Sequence, residues 1–387
     1  MTSPHQGAPH APSVPSVIEP QGLEQLFAAL LRRNYKLVGP TLRDGTITYE
    51  EISSPSDLPA GWTDEQQPGM YRLKTRDDNA VFGYAAGPQS WKRILYPSVL
   101  RLWQAHRKGG KVEVTVDKPA EEPRYAFIGV RACELQAIGI QDKVFLHGNY
   151  VDPNYQLRRE HNFIVAVNCT APAGTCFCAS MDSGPRAKGG YDIALTEVIL
   201  GTEHYFVATA ATKFGTEVLG EVECRPANEK QVTAAEAAIN AAAENMGRTI
   251  DTTDIRQLLN RNFENPRWET TAARCLACAN CTMVCPTCFC HNIEDVSDLT
   301  GEVAERWRKW DSCFTTAFSY IHGGSVRYSP AARYRQWLTH KLSTWHDQFG
   351  TSGCVGCGRC ITWCPVGIDI TEEVRAIRDK DHSREEV

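Results

Sequence analysis

The sequence predicts an α+β/α/β protein in two parts, an N-terminal α/β domain followed by a mainly helical domain built around cysteine ligands. Three observations carry this. Short apolar runs alternate with helical patterns between residues 125 and 219. Helical spacing then takes over in Thr233–Asn245, Thr253–Phe263, Glu302–Trp310 and Arg333–Phe349. Finally, one cysteine run occurs twice. Cys275, Cys278, Cys281, Cys285 and Pro286 are each followed 79 residues later by Cys354, Cys357, Cys360, Cys364 and Pro365.

Taken in order, Met1–Pro20 holds five prolines among Ser, His, Ala and Gly, a composition that reads as a disordered tail. Leu23, Leu26, Phe27, Leu30 and Leu31 recur at helical spacing and close at Arg32 and Arg33. Strand-like pieces follow at Lys36–Val38 and Thr46–Tyr49, then a Pro- and Gly-punctuated stretch through Gly69. Tyr125–Val130 reads as a buried strand, Cys133–Ile140 as a helix and Phe163–Val167 as a second buried strand. Together they suggest a parallel or mixed sheet. Asp192–Leu200 and His204–Ala210 form a hairpin pattern around Gly201, with a short helix at Lys213–Leu219. The expected domains are 1–20, 21–246 and 247–387, with the boundary near Met246 and Gly247.

The repeated run is C-x2-C-x2-C-x3-C-P, the ligand spacing of bacterial two-cluster ferredoxins. Two intervening residues let consecutive thiolates face one cubane, while the longer last gap sends the fourth cysteine to the other cluster. One 4Fe-4S cluster is therefore expected on Cys275, Cys278, Cys281 and Cys364, and the other on Cys354, Cys357, Cys360 and Cys285. A pair of zinc knuckles shares the C-x2-C spacing, but the doubled run with its prolines favours iron–sulfur.

The N-terminal part has cysteines of its own. Cys133 follows the strand 125–130, Cys169 follows the strand 163–167, and Cys176 and Cys178 stand in T-C-F-C. Ligands beyond the carboxyl ends of neighbouring strands converge in open α/β sheets. The spacing alone leaves open a third 4Fe-4S cluster or buried apolar cysteines. A second T-C-F-C, Thr287–Cys290, and Cys313 in W-D-S-C supply Cys288, Cys290 and Cys313. They suit a fourth cluster completed by Cys224, Asp311 or His291, or packing around the other clusters. Arg306, Trp307, Arg308, Lys309, Trp310, Arg335, Trp337, His340 and Lys341 read mostly as solvated helix faces with buried aromatics.

Sixteen cysteines in 387 residues, with no basic start or apolar core at the N-terminus, point to reduced thiols holding metal in a cytoplasmic protein. The longest apolar run, Phe163–Val167, is too short to span a bilayer. A net charge of −5 without a basic, aromatic-interleaved cluster gives no support to nucleic-acid binding. No G-x-G-x-x-G follows a strand, so neither flavin nor NAD(P) is expected on this chain.

The order G-V-x-A-C, C-x(n)-C-F-C, R-C-L-A-C-x-x-C-x-x-x-C-P-T-C-F-C, W-D-S-C, H-G-G-x-x-R and C-V-G-C-G-R-C-x-x-x-C-P, from about Arg124 to about Ile370, resembles the iron–sulfur beta subunit of cytosolic NAD(P)-linked nickel–iron hydrogenases of the sulfhydrogenase type. It is also similar to the corresponding iron–sulfur subunit of anaerobic sulfite reductase. The resemblance implies a non-catalytic electron-transfer subunit of an oxidoreductase complex. Its implied partners are the hydrogenase small and large subunits together with a flavin- and NAD(P)-binding diaphorase subunit; a sulfite or polysulfur reductase is the alternative setting. The resemblance also implies a third cluster on Cys133, Cys169, Cys176 and Cys178.

Overall fold

Fully buried apolar strands alternating with helices build the N-terminal half around one mixed sheet. The computed structural model describes residues 13–116 and 124–385. Arg124–Arg131 and Phe163–Val167 run parallel at the centre, the second buried at every position and the first from Ala126 onward. Such continuous burial is what a strand covered on both faces requires. Tyr35–Arg43 and Ile193–Leu200 extend the parallel block on either side. Antiparallel strands Thr46–Glu51, Glu203–Ala210, Ser16–Ile18 and Arg225–Pro226 complete a sheet of eight. Along the central strands side chains alternate between two cores. Ile128, Val165 and Leu195 pack with helix Gly22–Arg32, while Phe127, Ile164 and Ala166 pack under helix Ala132–Phe145. The hairpin expected around Gly201 is present, with Ile193 opposite Ala210 and Leu200 opposite Glu203.

Two expectations are corrected. Part of the stretch read as a disordered tail is ordered: Ser16–Ile18 is a strand, held because Val17 and Ile18 bury their side chains against the sheet. Residues 1–12 of that stretch lie outside the described residues. The second correction concerns Glu302–Trp310, which is no helix. Val303–Trp310 is a strand between His291–Ser297 and Val99–Lys108. Cross-strand charge fixes that pairing: Arg306 meets Asp295 at 2.6 Å, Lys309 meets Glu294 at 2.6 Å, and Arg101 meets Glu305 at 2.7 Å. With Lys111–Thr115 these strands form a second sheet of four. The C-terminal part is thus mixed rather than mainly helical, and its β-hairpin pairs with a hairpin from the N-terminal half.

Four of the C-terminal helices, Ile255–Arg261, Arg267–Ala272, Pro330–Thr339 and Ile370–Glu385, share one apolar core through Leu258, Trp268, Tyr334, Leu338 and Val374. The expected helix 333–349 is there, but it passes through a π-helical turn at His340–Thr344 before Trp345–Phe349. The N-terminal half reaches this core with the hairpin Trp62–Gln67 and Met70–Thr75. Gly69 N–H donates to the Ile361 carbonyl at 3.1 Å, and Tyr71 stacks on Trp363 with centroids 5.2 Å apart.

Candidate metal centres

The two cysteine runs repeat in backbone as well as in sequence. Ala277 and Ala279 have φ of 50° and 65°, and Gly356 and Gly358, their counterparts 79 residues on, have 62° and 76°. A left-handed conformation costs an alanine about 1–2 kcal/mol, and such residues persist where function needs the shape. The turn aims backbone donors at sulfur. Ala277 N–H reaches Cys275 Sγ at 3.4 Å, Gly356 N–H reaches Cys354 Sγ at 3.4 Å, and Ile368 N–H reaches Cys364 Sγ at 3.3 Å. Hydrogen bonds of this kind tune the potential of an iron–sulfur cluster.

Cys275, Cys278, Cys281 and Cys364 line one apolar cavity, walled by Phe314, Tyr334 and Trp337. Cys364 and Cys360 of the second run thus share this cavity with three cysteines of the first. Cys354, Cys357, Cys360 and Cys285 form a second neighbourhood. Burial pushes the Cys360 thiol well above the ordinary thiol value, and Cys354, Cys357 and Cys285 push it further. Burial also raises Cys281 well up, with Cys275, Cys364 and Cys278 adding to it. Thiols so resistant to ionisation fit a site in which a metal supplies the compensating charge. Cys285 goes the other way. The Cys288 thiol hydrogen-bonded to it, then the Lys341 and Lys92 ammonium groups, hold it well below the ordinary value.

In the N-terminal part, Arg131 and Val167 sit opposite each other in parallel strands, so Cys133 and Cys169, each two residues further on, emerge at the same level. Cys176 and Cys178 come in from the T-C-F-C loop. Burial raises Cys133, Cys176 and Cys178, and for Cys178, pushed up to about 12, the next cause is Cys169. Cys357 contributes to all three, which places this group against the second run. The contact is backbone on backbone: Phe177 N–H donates to the Gly356 carbonyl at 2.8 Å, and a Cβ on Gly356 would stand 2.7 Å from Cys178 N. Gly356→Ala is therefore expected to cost at least about 1 kcal/mol from its left-handed φ alone. Displacement of the T-C-F-C loop should also release iron from the N-terminal group before the others. Urea midpoint and iron content check both effects.

Of the surplus cysteines, Cys288, Cys290 and Cys313 lie near one another. The Cys313 thiol lowers Cys290 to about 7 by hydrogen bonding to it. Cys224 does not join them: it is exposed and directly precedes the edge strand Arg225–Pro226. Among the described residues no three His, Cys, Asp or Glu side chains close around a point as a single ion would require.

Residues 274–368 match the family described as a 4Fe-4S dicluster domain. Across most of its length the chain is similar to Sulfhydrogenase 2 subunit beta of Pyrococcus furiosus, with 29% identity over 357 residues, 90% of this chain and 95% of that protein. The resemblance drawn from the motifs therefore holds over nearly the whole chain. No solved structure matches it significantly.

The dicluster domain is joined to the sheet by groups that cysteine spacing does not mark. Arg359, between Cys357 and Cys360, is fully buried and pairs with buried Glu134, one residue after Cys133. The Arg359 Nη1 atom has no protein partner, nor do Nε and Nη1 of buried Arg131. The fields of Cys357 and Cys133 act on Arg359, and that of Cys169 acts on Arg131. Orphaned donors beside three candidate ligands fit a cluster whose sulfides would accept them. Lys341, read from sequence as part of a solvated face, is only 2% exposed. The π-helical turn directs its Nζ to Cys285 Sγ at 3.1 Å and to the Gly353 carbonyl at 3.1 Å. A basic residue in an amphipathic helix gives no sign of such burial.

Proposed function

We propose that this chain is the electron-transfer subunit of a hydrogenase-type oxidoreductase complex and carries no complete active site. One observation carries the reading. Cys364 of the second run lines the cavity of Cys275, Cys278 and Cys281, Cys285 of the first run neighbours Cys354, Cys357 and Cys360, and the Cys176–Cys178 loop abuts the second run through Phe177 and Gly356. Bound 4Fe-4S clusters would supply one-electron acceptor states there.

The first cluster takes Cys275, Cys278, Cys281 and Cys364; the second takes Cys354, Cys357, Cys360 and Cys285; the third takes Cys133, Cys169, Cys176 and Cys178. The chain's own residues hold the thiolates, exclude water with Phe314, Tyr334 and Trp337, and set local charge with Lys341, Arg359 and Arg131. The relay runs between the hydrogenase subunits and a flavin- and NAD(P)-binding subunit, in a cytoplasmic complex. Among the described residues no helix is long and apolar enough to cross a membrane. The N-terminal sheet domain and the C-terminal dicluster domain then serve as two ends of one conductor.

The test is iron and acid-labile sulfide on the complex purified without oxygen, together with its nickel and flavin. Cys178→Ala is expected to lose the third cluster alone, with about four iron atoms per chain and the ferredoxin-type signals retained. Unchanged iron in that variant would remove the third set from the relay. Siroheme in place of nickel would put the chain in a sulfite reductase.

A further inference from the structure

Two buried lysines stand beside the cysteines that the relay leaves over. Lys92 and Lys341 are 3% and 2% exposed. Lys92 Nζ donates to the carbonyls of Cys288 at 3.1 Å and Met283 at 3.4 Å, and lies 4.0 Å from the Trp310 ring centre. Lys341 Nζ donates to Cys285 Sγ at 3.1 Å, Thr287 Oγ1 at 3.3 Å, Cys288 Sγ at 3.7 Å and the Gly353 carbonyl at 3.1 Å. No carboxylate stands among these partners. Burying a charge without its opposite costs several kcal/mol, and a thiolate of the second cluster answers only Lys341 directly. The acidic side chains whose fields reach Lys92 are, in order, Cys288, Cys285 and Cys290.

The cysteines beside this pair are those the relay leaves over. Asp311 N–H donates to the Cys290 carbonyl at 2.9 Å, which brings W-D-S-C onto T-C-F-C. Thr282 Oγ1 donates to Ser312 Oγ at 2.7 Å, which ties both to the first run. Cys290 and Cys313 are hydrogen-bonded to each other, and the Asp311 carboxylate acts on Cys290. Both T-C-F-C loops also dock on the second run. A Cβ on Gly358 would stand 2.6 Å from the Thr175 carbonyl oxygen, and Thr287 Oγ1 donates to the Gly353 carbonyl at 2.6 Å.

We infer that Cys288, Cys290 and Cys313 hold a fourth 4Fe-4S cluster between the two ferredoxin-type clusters, with Asp311 on the iron that lacks a cysteine. It rests on the relay reading above. A cubane with its thiolates is anionic, so it supplies the charge that Lys92 lacks. Cys288 neighbours Cys285 of the second set and Cys313 neighbours Cys281 of the first, which lets one electron enter and one leave without any bond being made.

The experiment is iron, labile sulfide and EPR-monitored reduction of the complex purified without oxygen, with Cys290→Ala, Cys278→Ala and Lys92→Met. Cys290→Ala is expected to lose about four iron atoms per chain while Cys278→Ala loses a different set. Lys92→Met, which keeps every ligand and so covers a failure of Cys290→Ala to fold, is expected to keep all iron and move one midpoint to more negative potential. Full iron in Cys290→Ala with loss in Cys278→Ala would overturn this inference and leave the relay standing. Full iron in both would overturn the relay itself. Unmoved midpoints in Lys92→Met would also overturn the fourth site.

Discussion

Cys364→Ala is expected to empty the cluster of the first run, although Cys364 belongs to the second. Its sulfur lies in the cavity with Cys275, Cys278 and Cys281, is buried, and accepts a hydrogen bond from Ile368 N–H at 3.3 Å. Three thiolates would remain in an apolar chamber with one iron exposed at its wall, and no other cysteine lines that cavity except Cys360. Iron should fall by about four atoms per chain, and electron transfer through the chain should drop by more than the roughly 10–100-fold that loss of a supporting partner costs a metal site. The companion variant Cys357→Ala should remove a different EPR signal. If the two variants lose the same signal, the crossed ligand scheme is wrong and each run holds its own cube.

The repeated turn of the two cysteine runs was legible because ligand spacing is a local property of the chain. Cys275 to Cys285 and Cys354 to Cys364 need only short turns to face a cube, and the positive φ at Ala277, Ala279, Gly356 and Gly358 is that turn made visible. The central strands were legible for a similar reason: Phe163–Val167 is apolar at every position, which only a doubly covered strand tolerates. Val303–Trp310 was not legible. Its aromatic and basic residues suit a helix face equally well, and what decides for a strand is pairing with Asp295 and Glu294 across the hairpin and with Arg101 on a strand distant in sequence. Ser16–Ile18 was hidden by its prolines, since three residues carry too little pattern to outweigh them. Lys92, Lys341, Arg131, Glu134 and Arg359 escaped because burial of a charge depends on what the rest of the fold lays over it.

The buried pair of Glu134 and Arg359 carries the second large effect. Glu134 is 1% exposed and Arg359 0%. The carboxylate accepts from Tyr49 Oη at 2.9 Å, Trp91 Nε1 at 3.1 Å and Arg131 N–H at 3.1 Å, besides the guanidinium. Arg359 Nε donates to the carbonyls of Gly87 at 2.9 Å and Gln89 at 3.1 Å. Glu134→Ala would strand the guanidinium in the interior, where breaking a buried pair costs about 3–5 kcal/mol. A well-packed apolar replacement of both partners is often nearly neutral. Glu134→Ala is therefore expected to lower the urea midpoint of the chain sharply. Glu134→Leu with Arg359→Met should recover most of that loss. Because Arg359 also faces Cys357 and Cys133, the double variant should still shift the midpoint potential of the second or third cluster to more negative values, an effect that stability alone does not produce. A single variant within about 1 kcal/mol of the parent protein would mean that water reaches Arg359, and the sheet and the dicluster domain would then be held together by the remaining contacts, Tyr71 on Trp363 among them.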